Sequence, residues 1–94
     1  MAIMLMHLEV PDYDAWKPMF DQDPVGRKEN GATGHMVSRA VDNGNEVFVR
    51  VEFPSVDQAK AFREKLLASG VLERSGAKIK VAPTVADVAD AATY

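Results

Sequence analysis

Hydrophobic and polar residues alternate along residues 3–10, and this period of two predicts a β-strand. One face of the strand is wholly apolar and the other is mixed. The apolar face consists of Met4, Met6, Leu8 and Val10, and the mixed face of Ile3, Leu5, His7 and Glu9. We expect the apolar face to pack against the core and Pro11 to end the strand.

The next segment has apolar residues at helical spacing. Tyr13, Trp16 and Phe20 recur every three or four residues. Asp12 precedes them and is a suitable N-cap, because its carboxylate can accept hydrogen bonds from the free amides of the first turn. Pro18 removes one hydrogen bond of the ladder, so we expect a kinked or shortened helix.

Residues 33–42 and 45–53 predict two strands joined by a tight turn. Asn43-Gly44 lies between them and is the strongest short hairpin signal, because both central residues of such a turn need positive φ. A two-residue turn at this point places His35 opposite Glu52. The register depends on this one dipeptide.

A second helix is predicted from residue 56 onwards. Ser55 and Gln58 have the spacing of a capping box, in which each side chain satisfies a backbone amide near the start of the helix. Its buried stripe is predicted to consist of Val56, Ala59, Phe62 and Leu66. Ser69-Gly70 is expected to end the helix.

Residues 77–82 alternate as a last strand, which we expect Pro83 to stop. The predicted domain therefore covers residues 1–83. Residues 84–94 form a C-terminal tail, for which the sequence leaves two alternatives open, a short helix or an arm over a partner.

The predicted order is strand, helix, strand, strand, helix, strand. This order is typical of the α+β ferredoxin-like fold, βαββαβ, a four-stranded antiparallel sheet with strand order 4-1-3-2. Both helices are expected to cover the same face of the sheet.

The opposite face of the sheet would then be left open, and its composition predicts a partner. We expect it to carry Ile3, Leu5, His7, Glu9, Val37, Arg39, Val41, Phe48, Arg50 and Glu52. Exposing these apolar side chains together would leave a patch of roughly a few hundred Å², near the limit for a monomer. A homodimer packed sheet against sheet through this open face would cover the patch.

Composition and charge narrow the class of protein. With 94 residues the chain forms one domain, and its net charge of −3 argues against a nucleic-acid partner, which would favour a basic surface. No apolar run is long enough to cross a bilayer, so no membrane partner is expected. The absence of cysteine excludes disulfides, thiol nucleophiles and iron–sulfur clusters, and a cytoplasmic location is expected.

Several stretches resemble small proteins of the dimeric α/β-barrel superfamily, in particular the antibiotic biosynthesis monooxygenase-like or cyclase branch. They are VPDYDAWKPMFD at 10–21, DNGNEV at 42–47, EF at 52–53 and SVDQAKAF at 55–62. The resemblance covers residues 3 to 82, and its most specific part is Trp16-Lys17-Pro18. It implies a homodimer with one ligand pocket per subunit, between the sheet and the helices.

The resemblance also implies chemistry. Some relatives oxidise polycyclic phenols without metal or flavin, and others degrade haem or cyclise polyketides. Relatives with oxygenase activity use asparagine, tryptophan and histidine in the pocket; Trp16, His7 and His35 are the candidates here for the last two. The asparagines at 30, 43 and 45 fall in predicted turns, so that part of the pattern does not carry over.

We therefore expect a protein that binds a small aromatic or polyketide-like molecule, with cofactor-independent monooxygenase or cyclase chemistry. His7 is the candidate catalytic residue, since a histidine can transfer protons near neutral pH. Trp16, Phe20, His35 and Arg50 are the candidate substrate-binding residues, Arg50 for an anionic group. No metal or cofactor is expected, and Arg27 and Lys28 are assigned to a solvated helix end.

Two alternatives stay open at this stage. The first is a non-catalytic ligand-binding or structural dimer with the same fold, and the second is a haem-binding protein. A cavity of roughly several hundred Å³, lined by Trp16 and a histidine, would favour the enzyme. An interior without a cavity would leave only the dimer role.

Overall fold

A computed structural model describes all the residues, Met1–Tyr94, as four strands and three helices. They are β1 (Ala2–Glu9), α1 (Tyr13–Asp21), β2 (Gly34–Arg39), β3 (Glu46–Phe53), α2 (Val56–Ser69), α3 (Val71–Arg74) and β4 (Lys78–Asp87). The sheet has the order β2-β3-β1-β4, and all neighbouring strands are antiparallel. The predicted ferredoxin-like fold and strand order are confirmed.

Local capping explains where the helices begin and end. Asp12 accepts a hydrogen bond from the amide of Asp14 at the start of α1, and Ser55 accepts one from the amide of Gln58 at the start of α2. Gly70 ends α2 with a φ of 72°, a left-handed conformation in which a side chain would be strained. The nine-residue α1 includes Pro18. No helix combines the length and the apolar character that crossing a membrane requires.

The core lies between the helices and one face of the sheet, which we call the covered face. The apolar face predicted for β1 is buried there, and so are the inward residues of β3 and three residues of α2. The β3 and α2 members are Val47, Val49, Val51, Phe53, Ala59, Phe62 and Leu66. Alternation in β1 and β3 and helical spacing on α2 therefore predicted these buried residues, whereas Val56, the first residue of the predicted α2 stripe, is only partly buried.

The predicted register of the β2–β3 hairpin is wrong by one residue. Arg39 pairs with Val47 and His35 with Val51, whereas the two-residue turn placed His35 opposite Glu52. Six residues, 40–45, join the strands, and the Ala40 amide donates a hydrogen bond to the Glu46 carbonyl across the base of this loop. Gly44 has no positive φ, so the Asn43-Gly44 turn does not form.

A tertiary contact explains the longer loop. The side-chain oxygen of Asn45 accepts a hydrogen bond from the Tyr13 amide at 3.0 Å, and its side-chain nitrogen donates to the Pro11 carbonyl at 3.4 Å. Asn45 therefore ties the loop to the beginning of α1. This use of Asn45 in holding the helix start competes with the tight turn that the dipeptide alone favours.

The shift moves the side chains of β2 to the other side of the sheet, because the side-chain period of a strand is two. His35, Val37 and Arg39 lie on the covered side instead of the open face. Met36 and Ser38 take their places on the open face, opposite Arg50 and Phe48. Val41, also predicted on the open face, lies fully exposed in the loop.

The prediction that Pro83 stops the last strand is also wrong, because β4 continues to Asp87. Pro83 is buried at a position where the pairing shifts, between the pair of Leu5 with Thr84 and the pair of His7 with Val81. Proline, which has no N–H, is tolerated at such irregularities of an edge strand. Residues 88–94 have no regular secondary structure, and the Val88 amide donates a hydrogen bond to the Met1 carbonyl.

Candidate functional site

An apolar cavity of about 70 Å³ lies between the covered face and the helices. Twelve of its sixteen lining residues are hydrophobic. They come from β1, α1, β3, α2 and α3 and from the segment after α1: Met4, Met6, Leu8, Trp16, Met19, Phe20, Val25, Val51, Phe62, Leu66, Val71 and Leu72. The other lining residues include Asp23, Arg27 and Ser75. We call this space the helix-side cavity.

An aromatic row along α1 forms one wall of the helix-side cavity. The Trp16 and Phe20 rings stack with centroids 5.1 Å apart, and Tyr13 continues the row 6.0 Å from Trp16. The Arg39 guanidinium lies 3.9 Å above the centre of the Tyr13 ring. These contacts hold the indole of Trp16, which is 6% exposed, in a fixed orientation against the core.

Arg27 covers the other end of this row. Its guanidinium lies 3.8 Å above the Phe20 ring, and its Nη1 donates a hydrogen bond to the Phe20 carbonyl at 3.1 Å. The carboxylate of Asp23 accepts from the Arg27 amide and lies 3.6 Å from Nε. The prediction of a solvated Arg27 is therefore wrong, since its side chain is only 14% exposed; Lys28 is exposed as predicted.

A polar groove of about 320 Å³ adjoins the helix-side cavity, because Asp23 and Arg27 line both. Lys28, Ala32, Thr33, Gly34 and His35 complete this groove. The His35 ring meets the edge of Phe20 with centroids 5.2 Å apart. The corrected register of β2 thus brings His35 to the side of the sheet on which Trp16 and Phe20 lie.

The other predicted histidine lies on the open face. His7 Nε2 and Glu46 Oε1 are 3.0 Å apart, and the His7 ring stacks on Phe48 with centroids 4.2 Å apart. An open groove of about 380 Å³ runs beside them and is lined by Leu5, Met6, His7, Met36, Ser38, Phe48, Val49, Arg50 and Val81. This arrangement can hold an apolar group against a histidine that is oriented by a carboxylate.

Arg50 lies in the same open-face groove. Its Nη2 is 3.5 Å from a carboxylate oxygen of Glu52, while its Nε is buried and has no hydrogen-bond partner. A buried donor without a partner is costly, so this group favours an acceptor from outside the chain.

The structure divides the five predicted site residues into two groups. Trp16, Phe20 and His35 lie together on the covered side, whereas His7 and Arg50 lie on the open face. Strand alternation explains the division, since His7 follows the buried Met6. The structure has no group of three or more histidine or acidic side chains arranged to hold a metal ion.

Sequence reasoning missed two residues of the helix-side site, Asp23 and Arg27. Their positions depend on the turns after α1, where Asp23 takes a positive φ of 53° and turns the chain back over Phe20. The Asp23-Pro24 pair marks a turn in the sequence, but no local pattern links Arg27 to an aromatic ring seven residues earlier.

Comparison with known proteins identifies relatives at the level of structure. No protein-family profile and no curated protein sequence matches the chain. A proposed antibiotic biosynthesis monooxygenase from Deinococcus radiodurans matches with a TM-score of 0.68 and 13% identity, over 100% of this chain and 98% of that one. Rv0793 from Mycobacterium tuberculosis matches with a TM-score of 0.63 and 16% identity, over 99% and 100% of the two chains. The chain therefore has the fold of these two proteins along its whole length.

Proposed function

We propose that the protein binds a small aromatic molecule in the helix-side cavity, as a homodimer whose subunits pack through their open faces. The observation that carries the proposal is an apolar cavity with Trp16 and Phe20 stacked in its wall. Buried cavities lined by apolar and aromatic side chains, with a few polar groups at one end, are typical small-molecule sites.

The size of the cavity limits the ligand. At about 70 Å³ it is smaller than the several hundred Å³ expected for a polyketide site, and no histidine lines it. Met4, Met6 and Met19 form part of its lining, however, and methionine side chains adapt readily to a ligand. A single aromatic ring, admitted by small movements of these side chains, is the occupant that this cavity favours.

The homodimer is argued from the open face. Leu5, Met36, Phe48 and Val81 are each between 39% and 50% exposed, and they surround the open-face groove. Such a contiguous apolar surface on a small protein favours a partner. A second copy offers the same apolar side chains, and it also brings carboxylates that the unpaired Nε of Arg50 could reach.

Tryptophan fluorescence tests the binding site directly, because Trp16 is the only tryptophan in the chain. We expect p-cresol to change the Trp16 emission with saturation, when tryptophan is excited selectively at long wavelength. Met19→Phe narrows the cavity and should weaken this binding. Met36→Phe is the matched control, since it makes the same change on the open face. Equal binding in both variants, or no saturable change in the original protein, would refute the site.

A second candidate function is cofactor-independent oxygenation or ring closure with His7 as the proton-transfer group. The His7–Glu46 pair beside the apolar open-face groove supports it, and so does the name of the Deinococcus structure. In this function His7→Ala lowers the turnover of a substrate with little change in its affinity. Unchanged turnover in that variant would leave the protein as a non-catalytic binding dimer.

A further inference from the structure

Asp23 and Arg27 line both the helix-side cavity and the polar groove. The cavity is lined mainly by apolar residues and the groove mainly by polar ones. We infer that the two form one composite site for an aromatic carboxylate, with the ring in the cavity and the carboxylate in the groove between Arg27, Lys28 and His35. This inference rests on the proposed function and names the chemical class of its ligand. It is carried by Arg27, which lines both spaces.

The charge of the groove favours an anion. Two cationic side chains, Arg27 and Lys28, face one carboxylate, Asp23, so the groove has a net charge of +1 when His35 is neutral. The whole chain has a net charge of −3, so the charge of the groove is opposite in sign to that of the chain. A single negative charge on the ligand would neutralise the groove, which favours a carboxylate over a doubly charged phosphate.

Contacts within the protein fix the side chain of Arg27 but leave one of its donor nitrogens without an acceptor. Its Nη1 donates to the Phe20 carbonyl, its Nε lies near Asp23, and its plane rests on the Phe20 ring. No acceptor in the protein takes the hydrogens of Nη2. A planar carboxylate matches such a fixed guanidinium edge, and the hydrogen bond to it is charge-assisted.

His35 supplies a further polar contact at the same place. Its ring touches the edge of Phe20, it is exposed to the groove, and it makes no hydrogen bond within the protein. A donor nitrogen of this imidazole is free for the second oxygen of a carboxylate. Phe20 thus has Arg27 on its face and His35 at its edge, which places both polar groups beside the ring that walls the cavity.

Two ligands of the same shape test the inference, 3-phenylpropionate and its neutral amide, 3-phenylpropanamide. Both are titrated against the full chain, with Trp16 fluorescence and calorimetry as independent readouts. We expect the acid to bind about tenfold more tightly than the amide, the effect of one charge-assisted hydrogen bond. The preference should shrink with added salt, while the affinity for the amide stays constant.

Variants identify the groove as the source of the preference. Arg27→Lys keeps the charge but loses the planar edge, and Lys28→Gln removes a charge from an exposed position without touching the core. Each should reduce the preference for the acid over the amide. Lys80→Gln, an exposed site on the edge strand β4 at the far side of the sheet from His35, is the control and should leave this preference unchanged.

The outcomes separate this inference from the proposed function. Equal binding of acid and amide, or a preference that survives both groove variants, would overturn the carboxylate assignment while the aromatic site stands. Saturable binding of neither compound would overturn the aromatic site itself. If Arg27→Lys fails to fold, Lys28→Gln and the salt dependence still decide the question.

Discussion

The covered and open faces of the sheet are made by the same strands, yet they have different surroundings. Phe53 on the covered face is completely buried against Phe62, whereas Phe48, five residues earlier on the same strand, is 43% exposed and stacks on His7. The covered face holds the core and the helix-side cavity; the open face holds apolar residues mixed with charged ones. One face therefore stabilises the fold, while the other leaves large apolar side chains exposed.

Removing one phenylalanine from each face gives the largest contrast. Phe53→Ala leaves a cavity in the core and should lower the free energy of unfolding by about 3–5 kcal/mol. Phe48→Ala removes a half-exposed side chain, and for the isolated subunit we expect a loss of about 1 kcal/mol or less. Urea unfolding measures both.

The effect of protein concentration distinguishes the two phenylalanines further. If Phe48 lies in a dimer interface, the loss caused by Phe48→Ala grows with concentration, because dimerisation stabilises the folded state. The loss caused by Phe53→Ala has no such dependence. Equal losses for the two variants would contradict the assignment of Phe53 to the core and of Phe48 to the open face.

A charge on the open face is the next largest change. Phe48→Glu would place an unpaired carboxylate in each half of a two-fold interface, and we expect dimerisation to weaken roughly a hundredfold or more. Sedimentation should then report a single 10.3 kDa subunit. Leu67→Glu makes the same change at a similarly exposed leucine on α2 and should leave the dimer intact. A dimer that survives Phe48→Glu would refute the open-face interface.

The separation of the two histidines predicts a smaller effect. His7→Ala breaks the contact with Glu46 and should cost about 1 kcal/mol of stability, the usual value of one hydrogen bond. Because His7 lies across the sheet from the helix-side cavity, binding detected by Trp16 should not change. His35→Ala should weaken the binding of 3-phenylpropionate, since His35 lines the groove beside Phe20. The reverse pattern, in which His7→Ala weakens binding and His35→Ala does not, would contradict the faces to which the two histidines are assigned.

Much of this arrangement could be predicted from the sequence, wherever a regular period is long enough to determine a face. Alternation in β1 predicted its buried and open sides, and helical spacing predicted the buried residues Ala59, Phe62 and Leu66 of α2. The same alternation already separates His7 from Met6, and hence from the cavity beneath Met6. The separation of His7 from the cavity was therefore contained in the pattern, whereas the side on which His35 lies was not.

The parts that the sequence did not predict depend on contacts between distant segments. The loop between β2 and β3 has its observed length because Asn45 bonds to Tyr13, 32 residues away. Arg27 reaches Phe20 only because Asp23 turns the chain back with a positive φ. A local pattern cannot report such contacts, and one residue of error in the loop was enough to move His35 to the wrong side of the sheet.

The smallest expected effect tests that loop, and with it the face on which His35 lies. In a two-residue turn Gly44 would need a positive φ, and Gly44→Ala would cost about 1–2 kcal/mol. In the observed loop Gly44 has no positive φ, and an added methyl group meets the Arg39 guanidinium, with Cβ 2.6 Å from Nη2. Arg39 would have to shift from the Gly44 carbonyl that it bonds, an exposed contact, so we expect a loss of about 0.5 kcal/mol in urea unfolding. Gly70→Ala is the reference, because Gly70 has a φ of 72° and should show the full cost of about 1 kcal/mol or more. Equal losses at the two glycines would indicate that Gly44 has a positive φ and that the tight turn forms. His35 would then lie on the open face, and the groove beside Phe20 would not exist.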